Sequence, residues 1–204
     1  MSLSIAITGP TGAGKSRLCR LLAARGAVVI EADAVGHEVL DDPAVRSRVV
    51  AAFGQGIVGA GGRIDRAALG SVVFADPEQR ERLDALVHPA LAAACTARLS
   101  AAQAGGSPLV ILEAAVYFLL PGPPPVDMTV TVTAAAEVRL ARLEAQGLAP
   151  DRAHARLASQ AHLEPHWRRA DRIIVNAGTE VELAAVAADL WRELVAPESP
   201  GGIL

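Results

Sequence analysis

The stretch Gly9-Pro10-Thr11-Gly12-Ala13-Gly14-Lys15-Ser16 sets a glycine-rich turn before a lysine and a hydroxyl, at the spacing G-x-x-x-x-G-K-[ST]. Those residue types suit one task. Glycines let backbone N–H groups curl inward around phosphate oxygens, and a helix starting at the turn adds the positive end of its dipole. Lys15 is the group to reach the β- and γ-phosphates, and the Ser16 hydroxyl is the ligand for Mg²⁺. The candidate phosphate-binding set is Gly9, Thr11, Gly12, Ala13, Gly14, Lys15, Ser16 and the adjoining Arg17. Lys15 is the only lysine in the chain; the other eighteen basic residues are arginine. It stands where a mobile ammonium is not interchangeable with a planar guanidinium. The stretch implies a bound nucleoside triphosphate.

The flanking residues are those needed to hold such a turn. Ser4 to Thr8 reads as a buried strand, and Leu18, Leu21 and Leu22 follow at helical spacing. Strand, turn and helix in that order are the setting that distinguishes a phosphate loop from a chance match. The helix is expected to run to about Arg25 with Gly26 as its cap, and Ala27 to Ile30 reads as a second parallel strand. Glu31-Ala32-Asp33 then falls at the carboxyl edge of the sheet, where ligands bind in open α/β folds. A carboxylate there can orient an alcohol and accept its proton during phosphoryl transfer, which makes Asp33 the candidate base. The plainer alternative for Asp33 is a helix N-cap.

Length and composition bound the rest. The chain has 204 residues, 51% of them hydrophobic and only 3% aromatic, which suits one domain with an aliphatic core. A net charge of −3 gives no general attraction to nucleic acid or anionic membrane. No charge-free apolar stretch reaches about 18 residues, so no membrane span is expected. The amino-terminal residues lead straight into the first strand without a basic segment, so no signal peptide is expected. Cys19 and Cys95 lack a C-x-x-C spacing and read as buried thiols. The expected setting is cytoplasmic.

Residues 34–108 read as helices with no strong strand, opening at Pro43, at Asp65-Arg66 and at Asp76-Pro77, with His88-Pro89 expected to break the last before a further helix to Ala104. Leu109 to Leu112 is a buried strand ending at Glu113, Met128 to Val132 another, and Ile173 to Val175 the last. Between these lies an arginine-bearing helical pair over about 134–170. Such a lid can close over phosphates and offset charge in the transition state, and Arg142 is its candidate arginine, the alternative being a solvated basic face. Pro165 interrupts His162 and His166, which argues against a zinc pair. Asn176 and Gly178, after the last strand, either contact the purine or form a turn. Residues 180–195 form a closing helix, and the tail from Pro197 is expected to fray.

In this order along one chain, the phosphate loop, Glu31-Ala32-Asp33 with Gly36-His37, Phe53-Gly54, Asp65-Arg66 with Val73-Phe74, His88-Pro89, Arg142, Arg156 with Gln160, and Asn176 with Gly178 resemble the dephospho-coenzyme A kinases. The resemblance implies an α/β P-loop NTPase fold: a five-stranded parallel sheet flanked by helices, with a helical substrate-binding subdomain and a helical lid. Within one domain spanning 1–204, the core would be about 1–33, 109–133 and 171–196, with the acceptor region at 34–108 and the lid at 134–170. It implies ATP, with Mg²⁺, phosphorylating the ribose 3′-hydroxyl of dephospho-coenzyme A. Asp33, Lys15 and Arg142 would be catalytic, and His37, Asp65, Arg66 and His88 would hold the acceptor. The plainer readings of Asp65, Arg66 and His88 are a helix cap, a surface arginine and a helix-terminal histidine. No nucleic-acid or membrane partner is implied, and the expected state is a monomer or weak homo-oligomer. The chain departs from the family at Glu31 (usually Asp), at Leu119 (commonly Glu), at Gln146 (often Arg) and at Arg17 (usually Thr).

Two competing functions remain at this point. Another small P-loop kinase would share the loop but not the pattern across 34–108. A GTP-dependent switch or triphosphate-sensing module would favour an N-K-x-D sequence, which a chain whose one lysine is Lys15 cannot contain.

Overall fold

The computed structural model describes residues 2–195; the tail from Pro197 lies outside them. Strands β1 (Leu3–Thr8), β2 (Val28–Glu31), β3 (Leu109–Glu113), β4 (Met128–Thr133) and β5 (Arg172–Val175) form one sheet in the order β2-β3-β1-β4-β5. Every pairing is parallel, so the connections must cross back over the sheet as helices. The register brings three carboxyl ends level. Glu113 lies opposite Ile7 on one side and Glu31 on the other.

Alternating strand residues split the core in two. Ile5, Ile7, Leu109 and Ile111 face α1 (Lys15–Ala23) and the closing helix α9 (Glu180–Val195), meeting Leu18, Leu22, Leu183 and Leu190. Ala6, Val110 and Leu112 face the helices of 32–104: α2 (Ala32–Asp41), α3 (Pro43–Phe53), α4 (Arg66–Ala75) and α5 (Pro77–Ala104). Between the last two strands run α6 (Ala136–Ala145), α7 (Pro150–Ala158) and the short α8 (Glu164–Trp167). Cys19 and Cys95 are free and buried, and burial pushes the Cys95 thiol up to about 11.

Three of the helix starts are written locally. Asp42 caps α3 through the N–H groups of Ala44 and Val45, Asp65 caps α4 through Ala67 and Ala68, and Asp76 caps α5 through Glu78 and Gln79. Proline follows the cap in α3 and α5, where its missing N–H costs nothing.

The expected break at His88-Pro89 does not occur. α5 continues through Pro89 for 28 residues. An interior proline costs about 3 kcal/mol or more, and the burial of Val87, Leu91, Ala92, Cys95 and Leu99 offsets it. Ala85, whose carbonyl loses its partner at Pro89, faces an open cavity together with the proline ring. Among the described residues α5 is the one helix long and apolar enough to cross a membrane, and one face of it packs along β1, β2 and β3.

Leu112→Ala should remove buried contacts from the sheet face under α5, and urea unfolding should read a loss of about 2–5 kcal/mol.

Candidate active site

The turn after β1 is shaped from behind. Gly9 has φ +127°, and a Cβ there would sit 2.1 Å from the Val132 carbonyl oxygen on β4. Gly14 has φ +98°, and its Cβ would meet the Asn176 side-chain nitrogen at 2.4 Å. Neither position can hold a side chain. Asn176 is buried and donates its Nδ2–H to the Ala13 carbonyl at 2.8 Å. Arg142 reaches over from α6, donating to the carbonyls of Gly12 (3.5 Å), Ala13 (3.4 Å) and Gly178 (3.3 Å) and to Asn176 Oδ1 (3.5 Å).

The Gly12 and Ala13 carbonyls are thus occupied by side chains from α6 and the end of β5. Gly14 is a left-handed N-cap that offers α1 no side-chain partner. Among the described residues, the N–H groups of Gly12, Gly14, Lys15 and Ser16 find no protein acceptor. Unpaired N–H groups at a helix start are an anion site.

Lys15 donates to the Pro10 carbonyl at 3.0 Å. Burial lowers its pKa from 10.5, against the opposing pull of Glu113 and then Asp33. Ser16 donates its hydroxyl to Glu113 Oε1 at 2.6 Å. Asp33 lies in the first turn of α2, past the strand end where it was expected, and the N-cap position belongs to Glu31. The capping alternative for Asp33 therefore falls: its carboxylate is exposed and makes no cap bond. These groups line a cavity of about 770 Å³ together with Arg142, Arg156, Gln146 and Gln160. Among the described residues no three carboxylates gather closely enough to form a metal cage by themselves; the Ser16 hydroxyl against the Glu113 carboxylate offers hard oxygen donors of the kind that bind Mg²⁺ together with phosphate oxygens.

Of the residues singled out in the sequence, Thr11, Gly12, Gly14, Lys15, Ser16, Arg17, Asp33, Arg142, Asn176 and Gly178 line this cavity. Gly9 and Ala13 are buried beneath it, and Arg17 pairs with Glu180. His88 lines a second cavity of about 960 Å³ between α5, Leu119-Pro121 and the segment after α7. There it faces Asp84 at 3.4 Å. Burial holds the Asp84 carboxyl above its ordinary 3.8, with His88, Arg80 and His162 pulling it down. His37, Asp65 and Arg66 line neither cavity: Asp65 is spent on capping α4, and the other two are exposed. The sequence placed Glu113 at a strand end without a role, and assigned none to Gln160, whose side chain accepts the Thr11 N–H at 2.7 Å.

Solved structures share this fold. TT1252 from Thermus thermophilus superposes with a TM-score of 0.72 at 31% identity, covering 95% of this chain and 98% of that one. A shikimate kinase from Acinetobacter baumannii superposes at 0.56 with 15% identity, covering 96% and 94%, which carries the fold alone. The architecture is that of the small P-loop kinases. Sequence narrows the class. The family model described as dephospho-CoA kinase matches residues 3–182, and the chain belongs to that family. Curated relatives named dephospho-CoA kinase include that of Symbiobacterium thermophilum, 40% identical over 92% of this chain and 80% of the relative. That of Geobacter sulfurreducens is 37% identical over 92% and 96%.

Asn176→Ala should release the Ala13 carbonyl and loosen the loop, weakening ATP binding about 10–100-fold by calorimetry. The folded pKa of Lys15 lies below its unfolded value, so between the two the unfolded chain binds more protons and stability rises with pH. Thermal unfolding over a pH series approaching 10.5 should show the nucleotide-free protein gaining stability relative to Lys15→Met.

Proposed function

We propose that the two cavities are the donor and acceptor halves of a dephospho-CoA kinase site, with Asp33 as its base. The reaction transfers the γ-phosphoryl group of ATP to the ribose 3′-hydroxyl of dephospho-coenzyme A, the last step of coenzyme A synthesis. The observation that carries the assignment of roles is the shared cavity, lined together by Lys15, Ser16, Asp33, Arg142 and Arg156.

The unpaired N–H groups of Gly12, Gly14, Lys15 and Ser16 bind the phosphate oxygens, and Lys15 adds its charge. Ser16, with Glu113 beside it, would hold Mg²⁺, which when bound neutralises β- and γ-phosphate charge. Asp33 orients the acceptor hydroxyl and takes its proton as the phosphorus–oxygen bond forms. Arg156, exposed on α7, meets charge developing on the transferred group. Arg142 holds the loop and Gly178, so its contribution is in part to shape. The segment 34–108 carries the acceptor, with the cavity at His88, Arg80 and Asp84 as the place for the part of it remote from the reacting hydroxyl. Residues 134–170 act as the lid. A cytoplasmic monomer or weak homo-oligomer suits a metabolic enzyme with two buried free thiols.

The test is ADP release from ATP and Mg²⁺ with and without dephospho-coenzyme A, in wild type and Asp33→Asn. Turnover should require the acceptor and fall roughly 10²–10⁴-fold in the variant while ATP still binds. Turnover indifferent to the acceptor sinks the reaction; turnover unharmed by the substitution sinks the role of Asp33.

A further inference from the structure

Gln160 stands in the wall between the two cavities. Its own side chain lines the phosphate-loop cavity, while Ser159, Ala161 and His162 line the one beside α5. The Gln160 carboxamide oxygen accepts the Thr11 N–H at 2.7 Å, across 149 positions of sequence. One residue earlier, the Ser159 carbonyl accepts from Arg80 Nη1 on α5 at 3.4 Å. Two adjacent residues therefore grip the phosphate loop on one side and the acceptor-side helix on the other.

The chemistry narrows which residue type can serve at 160. Thr11 is buried, so its N–H needs a partner, and an apolar side chain at 160 would strand it. A carboxylate would satisfy the N–H but set a negative charge beside the phosphates. A glutamine oxygen accepts the bond without the charge, and its length spans the gap from the turn after α7. The Ala13 N–H is taken by the Pro10 carbonyl at 3.3 Å, which leaves the N–H groups of Gly12, Gly14, Lys15 and Ser16 for ligand. Gln160 thus holds the Thr11 N–H from the wall it shares with Ser159.

We infer that Gln160 is a positioning residue that couples the acceptor cavity to the phosphate loop through Thr11. An occupant beside Arg80 draws on the Ser159 carbonyl, and the adjacent carboxamide carries that displacement to the loop at Thr11. Transfer to the acceptor is thereby favoured over loss of phosphate to water. The inference rests on the reading that the second cavity takes the acceptor.

Steady-state kinetics of wild type, Gln160→Leu, Gln160→Glu, Arg80→Met and the Leu–Met double variant test it, comparing transfer to dephospho-coenzyme A with ADP release in its absence. Gln160→Leu should lower kcat for transfer about tenfold with the KM for ATP within about twofold, and lower the ratio of transfer to acceptor-free release by a similar factor. Gln160→Glu keeps an oxygen for the Thr11 N–H, so it should recover that ratio while raising the KM for ATP. Arg80→Met should lower the ratio by itself and add nothing to Gln160→Leu. An unchanged ratio in Gln160→Leu, a Glu variant no better than Leu, or a double variant equal to the product of the singles overturns the inference. Thermal midpoints and Mg²⁺-ATP binding monitor folding; if the Leu variant does not fold, the Glu and Arg80→Met ratios still decide. A wild type with no acceptor-dependent turnover defeats the underlying reading instead.

Discussion

A backbone turn binds phosphate only if its carbonyls point away, and here that orientation is enforced by groups far along the chain. Asn176, just beyond β5, and Arg142 on α6 hold the Gly12 and Ala13 carbonyls from the rear. β4 closes the space under Gly9. The loop is thus local in sequence but tertiary in shape. It reaches its form only when β4 and β5 have joined the sheet beside β1, which ties nucleotide binding to the completeness of the fold.

The sheet supplies the remaining chemistry through register. Because β3 inserts between β1 and β2, Glu113 falls within reach of the Ser16 hydroxyl, and the chain leaving β2 sets Asp33 at the same edge. Carboxylates gathered there oppose the loss of charge that burial imposes on Lys15. The long excursion between β2 and β3 covers the opposite face of the sheet with α2 to α5. It also leaves an open wall along α5 where Ala85 and Pro89 face a cavity.

What could be read from the sequence was what local chemistry dictates. The phosphate loop is a contiguous pattern, the buried strands are contiguous apolar runs, and the starts of α3 and α5 are Asp-Pro pairs whose capping needs no distant partner. The same local logic misled at Pro89, where burial along α5 outweighs the proline penalty. It was silent on Glu113, whose position at a strand end was visible but whose partner Ser16 lies 97 residues away. Nothing local marks Gln160 or joins Asn176 to Ala13, because each contact exists only after the chain has folded. Asp65 shows the reverse: a residue read toward an acceptor whose carboxylate is occupied by its own helix.

A chain with a single lysine has an unusual surface chemistry. Apart from the amino terminus, Lys15 is the one amine it can offer to an acylating or reductively alkylating reagent, and eighteen arginines are inert to both. The depressed pKa leaves more of that amine unprotonated near neutrality than an ordinary lysine would have, and only the unprotonated form is nucleophilic. Away from the amino terminus, amine labelling therefore reads out one atom lining the phosphate-loop cavity, so a modification followed at Lys15 becomes a site-resolved reporter of that cavity's occupancy.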